Sequence, residues 1–284
     1  MVWAVTPIRY GLLSPIPGAV LGWKPPDASA FSLVSLGYLL HDPQTDRRCL
    51  VDLGPSSPDV ARSRDRAVVV DGEWRGVGGG LRAAGCDPAQ VDTVIVTHAH
   101  WDHSYGAEEL PGAEIIVQLA DLEFGVDENG AQSRFFDREG GLFRPDARIR
   151  SIDGDLDVAE GLRCVRVGGH TPGSQVVLVD TENGVVACVG DLAHRYENIL
   201  GLSVGDIAHP SGLLADHTQW ASAIDWLAAR SVIPLLAHDD RSRLVLQHGA
   251  RLTGRGGRYT IRSDAWELVP DRASSAAVEG VSVA

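Results

Sequence analysis

Apolar residues along this chain come in short runs cut by glycine, proline and polar turns, a rhythm of strands with interspersed helices. Phe31 to Leu40 and Arg47 to Gly54 read as two strands, and HDPQTD between them supplies turn chemistry, so a β-hairpin is predicted. Gly78 to Gly80 lead into LRAAGCDPAQV, predicted as a helix ending near Gly85, after which Val94, Ile95 and Val96 form a buried strand. Beyond it the pattern predicts a short helix, a strand over Glu114 to Val117 and another helix from Ala120. Asp127 to Ile149 is polar and glycine-bearing yet carries Phe135, Phe136 and Phe143. It reads as an excursion of the kind that often serves function.

The second half repeats the rhythm. LRCVRVGGH, SQVVLVDT and GVVACVGD are strands separated by turns, His217 to Arg230 is an amphipathic helix with Trp220, Ile224 and Leu227 on one face, and VIPLLAHD is a last buried strand. Strands followed by helices in each half predict an α/β fold, an αββα sandwich of two mixed β-sheets packed face to face with helices outside. One domain is expected over residues 1–284, with its core at about 30–245. A proline- and glycine-rich extension over 1–30 precedes it, and a poorly ordered tail follows after about 270.

Composition narrows the function. A formal charge of -13 with no basic block argues against a surface built to neutralise phosphates, so nucleic acid is not an expected partner. Cys49, Cys86, Cys164 and Cys188 are scattered singly, without a CxxC pair, and read as reduced thiols. The first twenty residues have no basic region before an apolar run and are broken by Pro7, Arg9, Pro15 and Pro17, unlike a signal peptide. No stretch is long and apolar enough to span a bilayer, so no membrane is expected and the default compartment is the cytoplasm.

The chemistry gathers in THAHWDH, Thr97 to His103, directly after an apolar strand. Residues two apart at a strand end point the same way, so His98 and His100 can clasp one cation. Asp102 and His103 are adjacent and diverge, which suits them to a second cation nearby. Imidazole and carboxylate are ligands that suit zinc. Three later residues close apolar strands and complete the set: His170 in VGGHTPGS, Asp191 in GVVACVGD, whose two oxygens can bridge two cations, and His238 in VIPLLAHD.

THAHWDH, GGHTPGS, VGD and LLAHD, in that order and with VDLG upstream at Val51 to Gly54, resemble the five motifs of the metallo-β-lactamase superfamily over roughly residues 30 to 245. The resemblance implies the αββα fold, with His98, His100 and His170 at one metal, Asp102, His103 and His238 at another, and Asp191 bridging. Asp52 matches a residue that supports the ligands from behind. β-Lactamases of the commonest zinc class carry cysteine where this chain has Asp191, and the spacing of the motifs is more similar to that of quorum-quenching N-acyl-homoserine lactonases. Those lactonases place a tyrosine three residues after the bridging aspartate. Here that position is His194, and Tyr196 follows two residues later.

The resulting expectation is a binuclear hydrolase with two zinc ions per chain, iron or manganese being the alternative metals. A hydroxide between the metals would attack a carbonyl, the best match being opening of an acyl-homoserine-lactone-like ring. Asp102 would orient the hydroxide or relay its proton, and His194 and Tyr196 are the candidate contacts to the carbonyl oxygen. The phenylalanines of the excursion could wall an apolar part of the substrate. Another ester, thioester or cyclic amide is the first alternative, and an iron-dependent oxidoreductase acting on persulfides the second. The expected partner is a small molecule with a carbonyl group; a homodimer is left open.

Overall fold

The computed structural model describes residues 2–22, 30–64, 68–127, 130, 132–144, 147–203 and 206–270. The first sheet runs in chain order: β1 (Ala4–Pro17), β2 (Ala30–His41), β3 (Arg48–Val51), β4 (Thr93–Ile95), β5 (Glu114–Gln118) and β6 (Ile149–Ile152). It is antiparallel from β1 to β3 and parallel from β3 to β6. The second sheet holds β7 (Leu156–Ala159), β8 (Leu162–Arg166), β9 (Gln175–Thr181), β10 (Gly184–Cys188) and β11 (Ile233–Leu235), antiparallel except where β10 meets β11.

The period of two along each strand assigns its two faces. In the first sheet Tyr38, Leu40, Cys49, Val51, Ile95 and Ile116 share one buried cluster with Leu162, Cys164, Val177 and Val186 of the second, and this is the layer between the sheets. The alternate residues Leu39, Leu50, Val94, Ile115 and Val117 pack outward with Val77 and Leu81 of a helix. The helices are α1 (Pro58–Ser63), α2 (Gly76–Ala83), α3 (Leu119–Val126), α4 (Glu197–Leu200), α5 (His217–Ala229) and α6 (Ser242–Gln247). Asp216 caps α5 by accepting from the backbone N–H groups of Thr218 and Gln219, satisfying donors that the first turn leaves free. Buried on its inner face are Trp220, Ile224 and Leu227, as its periodicity predicts. The architecture is the αββα sandwich.

Two boundaries of the expected core move. The first seventeen residues are not an extension: β1 is a strand of 14 residues at the edge of the first sheet, with Ile8, Tyr10 and Leu13 buried. Its prolines hid it, since proline lacks the N–H of a sheet ladder, but an edge strand tolerates that loss. The second correction lies past residue 245, where β12 (Arg251–Arg255), β13 (Arg258–Arg262) and β14 (Glu267–Leu268) form a small antiparallel sheet. Leu252, Tyr259, Ile261 and Leu268 bury one face of it between exposed arginines, too sparse an alternation to stand out in the sequence. The tail after 270 lies outside the described residues. All four cysteines are buried free thiols. Among the described residues no helix is long and apolar enough to cross a membrane.

Candidate metal centre

The carriers of the site are loops at the ends of strands. β4 stops at Ile95, so His98, His100, Asp102 and His103 sit on the turn that follows it rather than on the strand itself. Asp52 organises that turn from the end of β3. Its backbone adopts φ 61°, and its carboxylate accepts from Thr97 N at 2.7 Å, Thr97 Oγ1 at 2.9 Å and His103 Nδ1 at 3.0 Å. Asp121, which the sequence reading passed over as a residue of a helix, is fully buried and does similar work. It accepts from Ala99 N at 2.6 Å and Gly173 N at 2.8 Å, joining the loop of His98 to the loop of His170. Burial pushes the Asp121 carboxyl up against the pull of these hydrogen bonds.

The tertiary structure gathers the predicted residues into two groups, His98, His100, His170 and Asp191 in one, Asp102, His103 and His238 in the other; within each, all ligand atoms lie within 4.8 Å of one another. Asp191 faces both. Its Oδ2 is 3.8 Å from His98 Nε2 and 3.6 Å from His170 Nε2, while its Oδ1 is 3.3 Å from His103 Nε2 and 3.2 Å from His238 Nε2. Asp102 Oδ2 lies 3.6 Å from His238 Nε2.

Hydrogen bonds at the far ring nitrogens show what the near ones offer. His103 donates Nδ1–H to Asp52 at 3.0 Å, His238 donates Nδ1–H to Val34 O at 2.8 Å, and His170 donates Nδ1–H to Leu213 O at 2.6 Å. In its neutral form each of these rings thereby presents its Nε2 lone pair, and the Nε2 atoms of His103 and His238 face each other at 3.2 Å. Two lone pairs at that distance repel unless positive charge lies between them. His98 Nε2 and Asp191 Oδ1 are likewise buried with no hydrogen-bond partner among the described residues.

Electrostatics agree with that reading. Burial takes the imidazoles of His98 and His170 well below their ordinary range and His100 down to about 3, so all three stay neutral and keep their lone pairs. Burial works the same way on His103 and His238, but Asp191 outweighs it at both, joined by Asp52 and Asp102 at His103 and by Asp102 at His238, and pushes both up. Asp191 is raised by burial yet held well below the carboxylate range by His238, His103 and His194. A buried nest of acceptors that calls for positive charge, with each histidine oriented from behind, is the donor set of a divalent metal site.

A model of the metallo-beta-lactamase superfamily matches residues 36–246. The chain belongs to that superfamily. One relative, an N-acyl homoserine lactonase of a Bacillus species, is 32% identical over 119 residues, 42% of this chain and 45% of the relative. The chain thus spans less than half the length of that curated relative. Among solved structures, an N-acyl homoserine lactone hydrolase with the product N-hexanoyl-L-homoserine bound at its catalytic metal centre superposes with a TM-score of 0.66 at 20% identity, covering 86% of this chain and 96% of that one. AidC, a dizinc quorum-quenching lactonase in complex with a product, gives 0.66 at 14% identity, covering 93% and 95%. At such identities the likeness shows the fold.

Above this superfamily centre opens a cavity of about 740 Å³, with His100, Asp102, Asp191, His194 and His238 on its floor. Its walls join apolar Leu13, Ile16, Leu33, Trp101 and Phe135 with Arg64, Arg134 and Arg138, so the strand expected to be an extension builds part of the pocket. Of the excursion's phenylalanines, Phe135 and Phe136 line the cavity, while Phe143 packs against Gly125 on the outer face of the first sheet.

The two expected substrate contacts part company. His194 lines the pocket, buried, with Nε2 at 3.2 Å from Asp191 Oδ2 and its ring stacked on His238. Tyr196 does not reach it. The Tyr196 ring is fully buried in the core, and its hydroxyl donates to Pro234 O at 2.8 Å and meets Ser242 Oγ at 3.1 Å. A phenol that has found hydrogen bonds beneath β11 has no reason to turn toward solvent.

Proposed function

We propose that this chain is a metal-dependent hydrolase of the lactonase type, with two zinc ions held one by His98, His100 and His170, the other by Asp102, His103 and His238, and Asp191 between them. The observation that carries the reading is the placement of the two Asp191 oxygens, one toward each group of imidazole lone pairs. When bound, two such cations supply Lewis acidity and lower the pKa of a water toward neutrality.

The chain's own residues do the rest. Asp102, on the pocket floor, orients the attacking water and relays its proton to the leaving alkoxide. His194 donates an N–H to the carbonyl oxygen as charge develops there. The apolar part of the wall, Leu13, Ile16, Leu33, Trp101 and Phe135, seats a hydrophobic part of the substrate. Lactonase-named relatives and the absence of a cysteine at Asp191 favour a lactone, with other esters and thioesters next.

The test is a hydrolysis panel of acyl lactones, thioesters, esters, cyclic amides and phosphodiesters on metal-loaded protein, with elemental analysis of the same sample. The highest kcat/KM is expected on an acyl lactone; a phosphodiester preference, or protein carrying iron with visible absorbance, would sink the reading. A paired variant test separates the two candidate contacts. His194→Ala is expected to cut kcat/KM by about 100-fold with little change in Tm. Tyr196→Phe should leave kcat/KM near wild type and lower stability by about 1–3 kcal/mol, measured by denaturant unfolding, because it strips a buried carbonyl of its donor.

A further inference from the structure

Gln132 is buried at the start of the loop whose next residues, Ser133 to Phe136, line the cavity. Its side-chain amide lies between two histidines of one donor group. Nε2 donates to the backbone oxygen of His170 at 2.8 Å, and Oε1 lies 3.0 Å from His100 Nε2. A carbonyl only accepts, so the amide nitrogen must be the atom on His170 and the amide oxygen the atom on His100. That oxygen also only accepts, so His100 carries its hydrogen on Nε2 and its lone pair on Nδ1. The Nδ1 atom lies 3.0 Å from His170 Nε2, inside the group.

The same loop grips His100 in other ways. Phe135 and Phe136 pack on the His100 ring with centroids 5.3 and 4.9 Å away, and the Phe135 oxygen accepts from Trp101 N at 2.8 Å. We infer that Gln132 is a positioning residue that decides which nitrogen of His100 faces the metal group, and that through it the substrate wall and the metal centre form one mechanical unit. This rests on the metal reading proposed above. Without the amide, His100 Nε2–H would be buried unpaired, the His170 oxygen would keep only its longer bond from Ala215 N at 3.1 Å, and the imidazole would be free to flip or change tautomer.

The experiment uses the full chain loaded with Zn²⁺ or Co²⁺ and compares wild type, Gln132→Met and Gln132→Glu. Gln132→Met keeps the length and removes both hydrogen bonds; it should weaken one cation by about 10- to 100-fold in chelator competition and change the visible absorption of the cobalt protein. Gln132→Glu keeps the acceptor for His100 but sets an oxygen against the His170 oxygen, and an intermediate loss is expected. Leu142→Ala, buried in the packing of the same excursion, is the control for mere loosening: Tm should fall with affinity and spectrum unchanged. If both Gln132 variants behave as Leu142→Ala does, the positioning role is overturned while the metal reading stands. A wild-type chain that takes up no cation overturns both.

Discussion

Asp191→Ala is expected to reduce bound metal from about two equivalents per chain to about one and to lower hydrolysis by more than about a thousandfold. The effect is this large because, among the described residues, no other carboxylate oxygen pair faces both groups: Oδ2 sits on the side of His98 and His170, and Oδ1 on the side of His103 and His238. Removing it would take away the anion that offsets the two proposed cations in a buried site. His103→Ala should act similarly from the other side, since it deletes a lone pair that Asp52 holds in place. Elemental analysis after dialysis, read beside kcat/KM, checks the result. Variants that keep both equivalents and full activity would show that the binuclear arrangement is wrong.

The second large effect falls outside the cavity. Arg241→Met should destabilise the protein by about 3–5 kcal/mol, enough to lower Tm by about 10 °C. Arg241 donates to both Glu197 oxygens at 2.7 Å and to Asp239 at 2.9 Å, and the side chains of Glu197 and Asp239 are only 5% and 3% exposed. Its removal leaves two buried carboxylates facing Arg195 alone among the described ion pairs, with Arg195 Nε at 3.5 Å from Asp239 and 3.9 Å from Glu197. The network also ties together two ligand loops, since Glu197 follows the turn of Asp191 and His194, and Asp239 follows His238.

A pH series separates this electrostatic account from a simple loss of packing. Burial raises the Asp239 carboxyl, and Arg241 outweighs burial and holds it below its ordinary value. In the wild type that contribution is present above about pH 4 and is lost as pH falls through the lowered folded pKa. In Arg241→Met burial acts with less opposition, so the folded pKa rises and acidification should recover part of the lost stability. A Tm that drops equally at every pH would refute the electrostatic explanation.

Much of the site was legible because its chemistry is written in residue types close together in the chain. Three imidazoles and a carboxylate within Thr97 to His103 have few other uses, and His170, Asp191 and His238 each end a strongly apolar run. Short apolar runs likewise marked β2, β3 and β9, and a helical period marked the one-sided burial of α5. Asp121 and Gln132 carried no such mark. Each is an ordinary polar residue in a helix or loop, and each gains its role from partners 22 to 52 positions away, or 32 to 38, that only folding brings near.

The sequence by itself determined which imidazoles and carboxylates are candidate metal ligands and most of the strands between Phe31 and Asp239, since these depend on local pattern and residue chemistry. Tertiary structure decided which nitrogen each histidine presents, how the Asp191 oxygens divide between two groups, and that Tyr196 points into the core while His194 meets the pocket. It also turned a proline-rich beginning into an edge strand that walls the cavity. Orientation and hydrogen-bond partner are properties of contacts between segments distant in the chain, and no local pattern of residues encodes them.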